Sequence, residues 1–425
     1  MMKRNRIVKL LSAAIVGLIP GSLWANGLRL VSQDAFATAR GEAFVATANN
    51  ASAIYYNPAG IAMLPPGLRS RSGIYGAYYN SHYQPPATAP NAGKTYELQN
   101  NFAAVPQFFA TYGLKELPLT FGFGIYSPFG GKITWPQDTG FRTIGIEGSV
   151  TYITLNPVLA WKVGPKFSIG GGVTVNYAKM DIEQGLLRNQ VPFANYFEFE
   201  GDGIMVGYNL GMLWQPMEQL SFGVNFRSTT QLNAEGSTGF EQQPVIQPTQ
   251  IDASAEYTFP LTVVFGVSYR PTPKWNLEFN ADYTDWSSFG STTIKQETAP
   301  PFPVQENIDV KLGWQSSWLY EFGVTRYLKN GWQVSGGYVY SENSVPDTYY
   351  NPVAEDLNRH VFSIGTGYDG EHFGFDIAYQ FAYGPDRVVT GSTPSSQPAQ
   401  FAGQTADGTY NFISNALLIT LELRF

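Results

Sequence analysis

The 425-residue chain contains 28 Pro, 44 Gly, three His and no Cys; only 14 % of its residues are charged, while aromatics reach 15 %. Soluble domains average about 25 % charged residues, so a chain this poor in charge needs surroundings that accept an apolar exterior, and an ordinary cytosolic enzyme is excluded. The lack of Cys removes disulfides, thiolate nucleophiles and cysteine metal ligands.

Lys3, Arg4, Arg6 and Lys9 precede an uncharged run from Leu10 to Ile19, then Pro20-Gly21 and small residues ending at Ala25, the layout of a secretory signal peptide over 1–25. The run is too short to span a bilayer. Setting this leader aside takes four cations from 26 and leaves 22 against 33 carboxylates, a formal charge of −11. Nucleic acid is excluded as a partner, because phosphate binding needs a basic footprint. Past residue 25 no uncharged apolar stretch approaches the roughly 18 residues of a membrane helix.

Residues 26–66 do not read as strand. Asp34 can cap a short helix over the Ala-rich run that follows, and Asn49 or Asn50 another running toward Tyr55-Tyr56. Asn57-Pro58-Ala59-Gly60 places an Asn cap ahead of Pro at the first helical position, followed by Ile61, Met63 and Leu64. A solvated tail would be polar and charged; this segment is apolar and too small for a core of its own. The expectation is a plug inside a larger structure, with a periplasmic tail as the alternative.

From 67 to 425 the dominant period is two. Trp275, Leu277, Phe279, Ala281 and Tyr283 alternate with Asn276, Glu278, Asn280, Asp282 and Thr284, and Phe373 to Tyr383 and Leu417 to Phe425 repeat the pattern. Short turns, as at Gly164-Pro165-Lys166 and Lys329-Asn330-Gly331, alternate with longer polar stretches near 82–100, 128–149, 182–201, 235–256, 287–313, 343–357 and 385–408. That asymmetry predicts an all-β, antiparallel transmembrane barrel of about fourteen strands, starting near residues 68, 102, 118, 150, 167, 203, 219, 257, 274, 315, 331, 358, 372 and 412. A soluble sandwich shares the alternation, but it becomes rare at this length without a domain break, and no linker or repeat divides the chain. Trp161, Trp214, Trp275 and Trp332 fall beside short turns, and Trp135, Trp286, Trp314 and Trp318 near long loops, so two aromatic girdles are expected.

The sequence resembles the long-chain fatty-acid outer-membrane transporter family (FadL-like), which includes uptake channels for aromatic hydrocarbons. The resemblance runs over nearly the whole mature chain. It is most specific at Ala51–Gly60, at Gly122-Phe123-Gly124-Ile125-Tyr126-Ser127-Pro128-Phe129-Gly130 and at Asp285-Trp286-Ser287-Ser288-Phe289; Val345-Pro346-Asp347 and the terminal Phe425 are also similar. It implies a plugged fourteen-strand barrel that moves hydrophobic molecules passively and releases them sideways where the third strand kinks. Asn57-Pro58-Ala59 is similar to the family's plug motif, beside a pocket expected to be lined by Ile54, Tyr55, Tyr56, Ile61, Met63 and Leu64.

The third strand's own chemistry agrees with a kink: Pro128 cannot donate to a ladder, and Gly130-Gly131 after Phe129 weaken the strand. Pro128 in an external loop is the alternative. A carboxylate cargo would want a cation, and Lys179, Arg227 and Lys311 are the candidates; Lys179 resembles a basic position in fatty-acid relatives, but its outward parity equally makes it a rim residue touching lipopolysaccharide. Other inward polar groups, among them Glu278, Asp282, Arg359, Asp376 and Glu422, read as a solvated or ion-paired lumen. The scattered His82, His360 and His372 form no metal or triad pattern, and no nucleophile and base can be paired, so neither an enzyme nor a cofactor is expected.

The expected function is passive uptake of long-chain fatty acid first, and of aromatic or alkane hydrocarbon second; a general porin or an adhesin would need only an open lumen or long loops. The expected setting is the bacterial outer membrane, both termini periplasmic, as a monomer surrounded by lipid and lipopolysaccharide, with Phe425 addressing the barrel assembly machinery.

Overall fold

The period-two segments form one continuous wall. A computed structural model describes residues 26–186, 195–242, 246–300, 304–394 and 403–425, so the expected leader over 1–25 lies outside the described residues. Twenty strand segments occur. One, Tyr96–Glu97, sits in a loop, and five barrel strands are each written in two pieces, which leaves fourteen strands in the wall. They are β1 (Gly67–Gln84), β2 (Phe102–Gly113), β3 (Leu119–Tyr126 and Gly130–Thr134), β4 (Glu147–Gly164), β5 (Phe167–Gln184), β6 (Asn195–Met217) and β7 (Leu220–Arg227 and Thr230–Gln242). Next come β8 (Ile246–Phe259 and Thr262–Thr272), β9 (Trp275–Thr284 and Ser291–Gln296), β10 (Asn307–Lys311 and Ser317–Tyr327), β11 (Trp332–Ser341), β12 (Arg359–Asp369), β13 (Phe373–Val389) and β14 (Gly408–Arg424). Neighbours are antiparallel, and β1 pairs with β14 from Arg69↔Arg424 to Gln84↔Thr409, which closes the barrel.

β6 shows how alternation builds the two faces. Ile204, Val206, Tyr208, Leu210, Met212 and Trp214 point outward and are exposed, while Met205, Gly207, Asn209, Gly211 and Leu213 point inward and are buried. The exposed apolar row is the lipid-facing band of a membrane barrel. Helical spans are not needed, and no helix among the described residues is long and apolar enough to cross a membrane.

Two expectations need correction. Several stretches read as long loops are strand: β6 starts at Asn195, β7 reaches Gln242, and β8 starts at Ile246. These extensions rise past the apolar band, so their alternation is inverted: Phe197, Phe199, Leu232, Ala234 and Ala253 point inward and are buried, while the outward residues, such as Glu200, Glu235 and Asp252, are polar, and no apolar outer row marks them as strand. The expected second tryptophan girdle does not form; of its four members only Trp318 lies in the outward row, against Tyr283. Trp161, Trp214 and Trp332 are exposed beside short turns, but Trp135, Trp286 and Trp314 are buried among other aromatics inside the long-loop end. Trp286 donates to Asn26 Oδ1 at 2.6 Å and Trp135 to the Pro352 carbonyl at 3.0 Å, so each indole N–H is satisfied within the protein.

The segment before β1 fills the lumen. Asp34 caps α1 (Ala35–Ala39) by accepting from the Phe36 and Ala37 amides. Asn50 tightens the turn into α2 (Ala53–Tyr56) by accepting from the Ser52 amide at 2.9 Å. Asn57 then caps a 3-10 turn (Pro58–Met63) through the Ala59 amide. Wall glycines give the plug its seat: a Cβ on Gly223 would lie 2.1 Å from the Val45 carbonyl oxygen, and one on Gly337 only 2.0 Å from the Gly41 nitrogen. Wall asparagines satisfy its backbone, with Asn209 donating to the Ile54 carbonyl at 3.2 Å and Asn225 to that of Tyr55 at 3.1 Å.

Candidate functional site: lumen cavities and a window in the wall

Four cavities surround the plug's first residues. The outermost, with about 750 Å³ of empty space, is lined near the long-loop rim by Leu28, Val150, Met180, Phe197, Tyr257, Phe289, Ile294, Ile308, Leu312 and Trp314; Asp181 is its one charged lining residue. A second, of about 620 Å³, lies on the other side of the chain segment Arg29–Gln33, against β1, β2 and β10 to β14. Two smaller, more polar cavities of about 340 and 420 Å³ meet at Arg29, Tyr55 and Arg227. Leu28 and Arg29–Gln33 thus stand between an apolar outer chamber and the deeper space above the plug helices.

The wall beside these cavities is incomplete. β2 keeps its ladder with β1 along its whole length, but with β3 it pairs only from Phe108↔Ile125 to Gly113↔Thr120. Beyond this, a lone bridge Gln99↔Thr134 resumes in the same register. Phe102–Gln107 therefore face an unpaired window, with no β3 partner among the described residues. β3 breaks over Ser127, Pro128 and Phe129, and the broken stretch is held from inside by the plug. The Leu30 amide donates to the Pro128 carbonyl at 2.9 Å, and the Gly130 amide to the Leu28 carbonyl at 3.0 Å. Gln33 Nε2 adds a bond to the Ser127 carbonyl at 2.8 Å. In lipid an unpaired backbone group costs several kcal/mol, so the plug's first segment stands in for β2 as the partner of the broken stretch of β3. Gly131 follows Gly130 into the second piece of β3, and the buried Phe129 ring packs between Tyr152, Phe259 and Trp286 at 5.1, 5.2 and 5.9 Å.

The remaining sequence candidates separate. Tyr55 and Tyr56 reach a cavity wall, whereas Ile54 and Ile61 are fully buried against the inner face of β3, where Gly122 leaves room for both. Met63 and Leu64 are partly buried at the plug's far end. Asn57 holds the plug together, donating to the Val45 carbonyl at 2.8 Å and the wall carbonyl of Met212 at 2.9 Å; Pro58, Ala59 and Gly60 are buried beside it. Among the cation candidates, Lys179 lies outside the barrel, paired with Glu200 at 2.6 Å, and Lys311 is exposed. Arg227 alone is in the lumen, where it donates to the Tyr126 hydroxyl at 2.8 Å and the Tyr55 carbonyl at 2.5 Å and covers the Tyr55 ring at 4.4 Å.

Other lumen cations were not weighed in the sequence as partners for a carboxylate cargo, among them Arg29 and Arg359. Arg29 pairs with Asp282 at 2.6 Å and lines three of the cavities. Arg359 lines the 620 Å³ cavity. Inward parity is the signal that places Arg359 in the lumen, beside its cross-strand neighbour Ser341. The histidines stay apart, His82 beside Asn411 and Glu97 and His360 on the Tyr338 hydroxyl.

Residues 16–425 match the family described as outer membrane protein transport protein (OMPP1/FadL/TodX). The chain is 22 % identical to a long-chain fatty acid transport protein of Escherichia coli, over 90 % of this chain and 93 % of that one. A solved Pseudomonas aeruginosa FadL homologue superposes with a TM-score of 0.80 at 17 % identity, covering 94 % and 100 % of the two chains. The Ralstonia pickettii toluene transporter TbuX does so with 0.67 at 15 %, covering 92 % and 98 %.

Proposed function

Because the chain belongs to the outer-membrane transport family OMPP1/FadL/TodX, whose members are transporters and channels rather than enzymes, we propose that it takes up hydrophobic molecules, long-chain fatty acids first, by passive partition through its wall. The observation that carries this is the window between β2 and β3, which stands beside the cavities and has the plug's own backbone as its inner lining. Ligand enters the apolar outer chamber, passes the Arg29–Gln33 segment, and leaves through the window into lipid, so it never crosses the polar surface layer. Each site is weak enough to release it, and removal of ligand inside the cell drives the net flow. Charge-free lining in the outer chamber other than Asp181 favours an apolar body over a sugar.

In this reading the short turns and both termini face the periplasm, Phe425 is read by the barrel assembly machinery, the barrel acts as a monomer, and no cofactor takes part. Lys179 with Glu200 sits at the outer rim, where lipopolysaccharide is its neighbour. Aromatic or alkane hydrocarbon is the second cargo, favoured by the Phe129, Tyr152, Phe259 and Trp286 cluster.

Proteoliposomes carrying the purified chain test this reading. Transfer of oleate or hexadecane to the bilayer should accelerate, while swelling in small sugars should stay at the protein-free rate. Fast swelling in sugars would mean an open pore and would remove the basis for the proposal.

A further inference from the structure

The short-turn end of the wall carries a run of cations with no acid among them. The turns β8–β9 and β10–β11 adjoin there, the Tyr327 amide donating to the Lys274 carbonyl at 2.8 Å. Arg270 and Lys274 stand between Tyr269 and Leu277, Arg326 and Lys329 between Val324 and Val334, and neither stretch holds an Asp or Glu, although the chain past residue 25 has 33 carboxylates against 22 cations. Lys274, Arg326 and Lys329 are exposed, and among the described residues their side chains make no ion pair and no hydrogen bond. The flanking turns carry Glu218, Asp369 and Glu371, none of them bonded to these three cations. Asp369 holds Arg424, and Glu218 offers Arg270 only its backbone carbonyl, at 3.5 Å.

Arg326 sits in the lipid-facing row itself. Its partners across the ladders are Trp275 and Val334, and Phe322 and Val324 precede it on the same exposed face. Its guanidinium lies over the Trp275 ring at 4.9 Å, which holds the group at the edge of the apolar band and leaves all five of its donors unused. Leu328 and Trp332 are exposed beside it on the β10–β11 turn. Tryptophan at this level marks the boundary between hydrocarbon and head groups, so the three cations stand where lipid phosphates lie and the apolar row stands where acyl chains lie. A cation facing hydrocarbon is costly, whereas at head-group level an anion stabilises it.

We infer that Lys274, Arg326 and Lys329 hold the phosphate of an anionic phospholipid, whose acyl chains lie along Leu277, Phe322, Val324 and Val334. Lipid fits better than an acidic protein because the patch runs without a break into the lipid-facing row, and because Arg326 is on the wall rather than at the tip of a turn. With the short turns in the periplasm, as proposed above, the bound lipid belongs to the inner leaflet. None of these residues lines one of the four cavities, so uptake does not depend on this seat.

The test is native mass spectrometry of the full chain in nonionic detergent with equal amounts of phosphatidylglycerol and phosphatidylcholine of the same acyl chains. The wild type should retain phosphatidylglycerol in preference by about twentyfold to a hundredfold, at about fivefold per cation. Combining Lys274→Gln, Arg326→Gln and Lys329→Gln should bring the two lipids level. Combining Lys115→Gln, Lys162→Gln and Lys166→Gln, which removes the same charge from other turns at that end, should keep most of the preference. Heat-shifted gel migration reports whether each variant is folded. Equal retention of the two lipids by the wild type, as expected if an acidic protein is the true occupant, overturns the seat. So does a preference that survives the first triple variant, or one lost equally in the second. Oleate delivery in phosphatidylcholine proteoliposomes reports on uptake separately.

Discussion

Arg71→Met strikes the anchor that ties the plug to the wall. Arg71, on β1, pairs with Asp34 at the start of α1, with Asp376 on β13, and with Glu422 on β14 at 2.6 Å, and all four groups are buried. Removing the cation strands Asp34 and Asp376, while Glu422 keeps Arg424 at 2.8 Å and Arg69 at 3.7 Å. Breaking a buried pair in this way costs about 3–5 kcal/mol. The barrel does not bear that cost, because the β1–β14 ladder uses backbone groups alone and stays paired from Arg69 to Gln84. The cost falls on the docking of α1, whose cap Asp34 is the stranded residue. Hydrogen exchange of plug amides from Phe36 to Ala46 should therefore speed up by roughly a hundredfold or more, while wall amides and heat-shifted gel migration stay as in the wild type. Lowering the pH should shrink the difference, since protonation relieves the stranded carboxylates. Plug amides that exchange at the wild-type rate would refute the reasoning.

Other consequences can be checked alongside. Gly337→Val places a side chain where the Gly41 nitrogen lies 2.0 Å from the would-be Cβ, so the plug must lift from β11, and proteoliposomes should begin to swell in small sugars. Burial lifts the Glu42 carboxyl from its ordinary value near 4.5 to about 7. Between these values the docked plug holds a proton that the undocked chain releases, so docking weakens as pH rises through that window. Glu42→Gln should therefore protect plug amides better at pH 8, by up to about 3 kcal/mol, and match the wild type at pH 4.

The architecture was legible where lipid imposes a rule on both faces of a strand. Phe373 to Tyr383 alternate in sequence, and they alternate between exposed and buried in β13. Where the strands leave lipid the outer row turns polar and the apolar residues, such as Phe197 and Phe199, face inward, so Asn195–Gly201 and Thr249–Asp252 read as loop although they are paired. The tryptophans at the long-loop end misled for a related reason: a residue near the rim can face lipid or fold back over the mouth, and period two does not say which. Plug caps were readable because Asp34 and Asn57 act on amides only a few residues away. The lumen was not, because it is made by distant partners. Nothing local reveals that Leu28 and Leu30 replace β2 as partners of the broken β3, or that the glycines at 223 and 337 are sockets for plug backbone. Among the expected cations, parity could separate Lys179, on the outer face, from Arg227, in the lumen.

The most direct test of release through the wall is to tie the window shut. The chain has no native cysteine, so Val105→Cys and Pro128→Cys, which stand on opposite sides of the window at the positions that the flanking register would pair, can be joined by a cleavable bifunctional thiol reagent. The bridged protein should still bind oleate but stop delivering it to the bilayer of a proteoliposome, and cleaving the bridge should restore delivery. Delivery at the unbridged rate with the bridge in place would contradict the account.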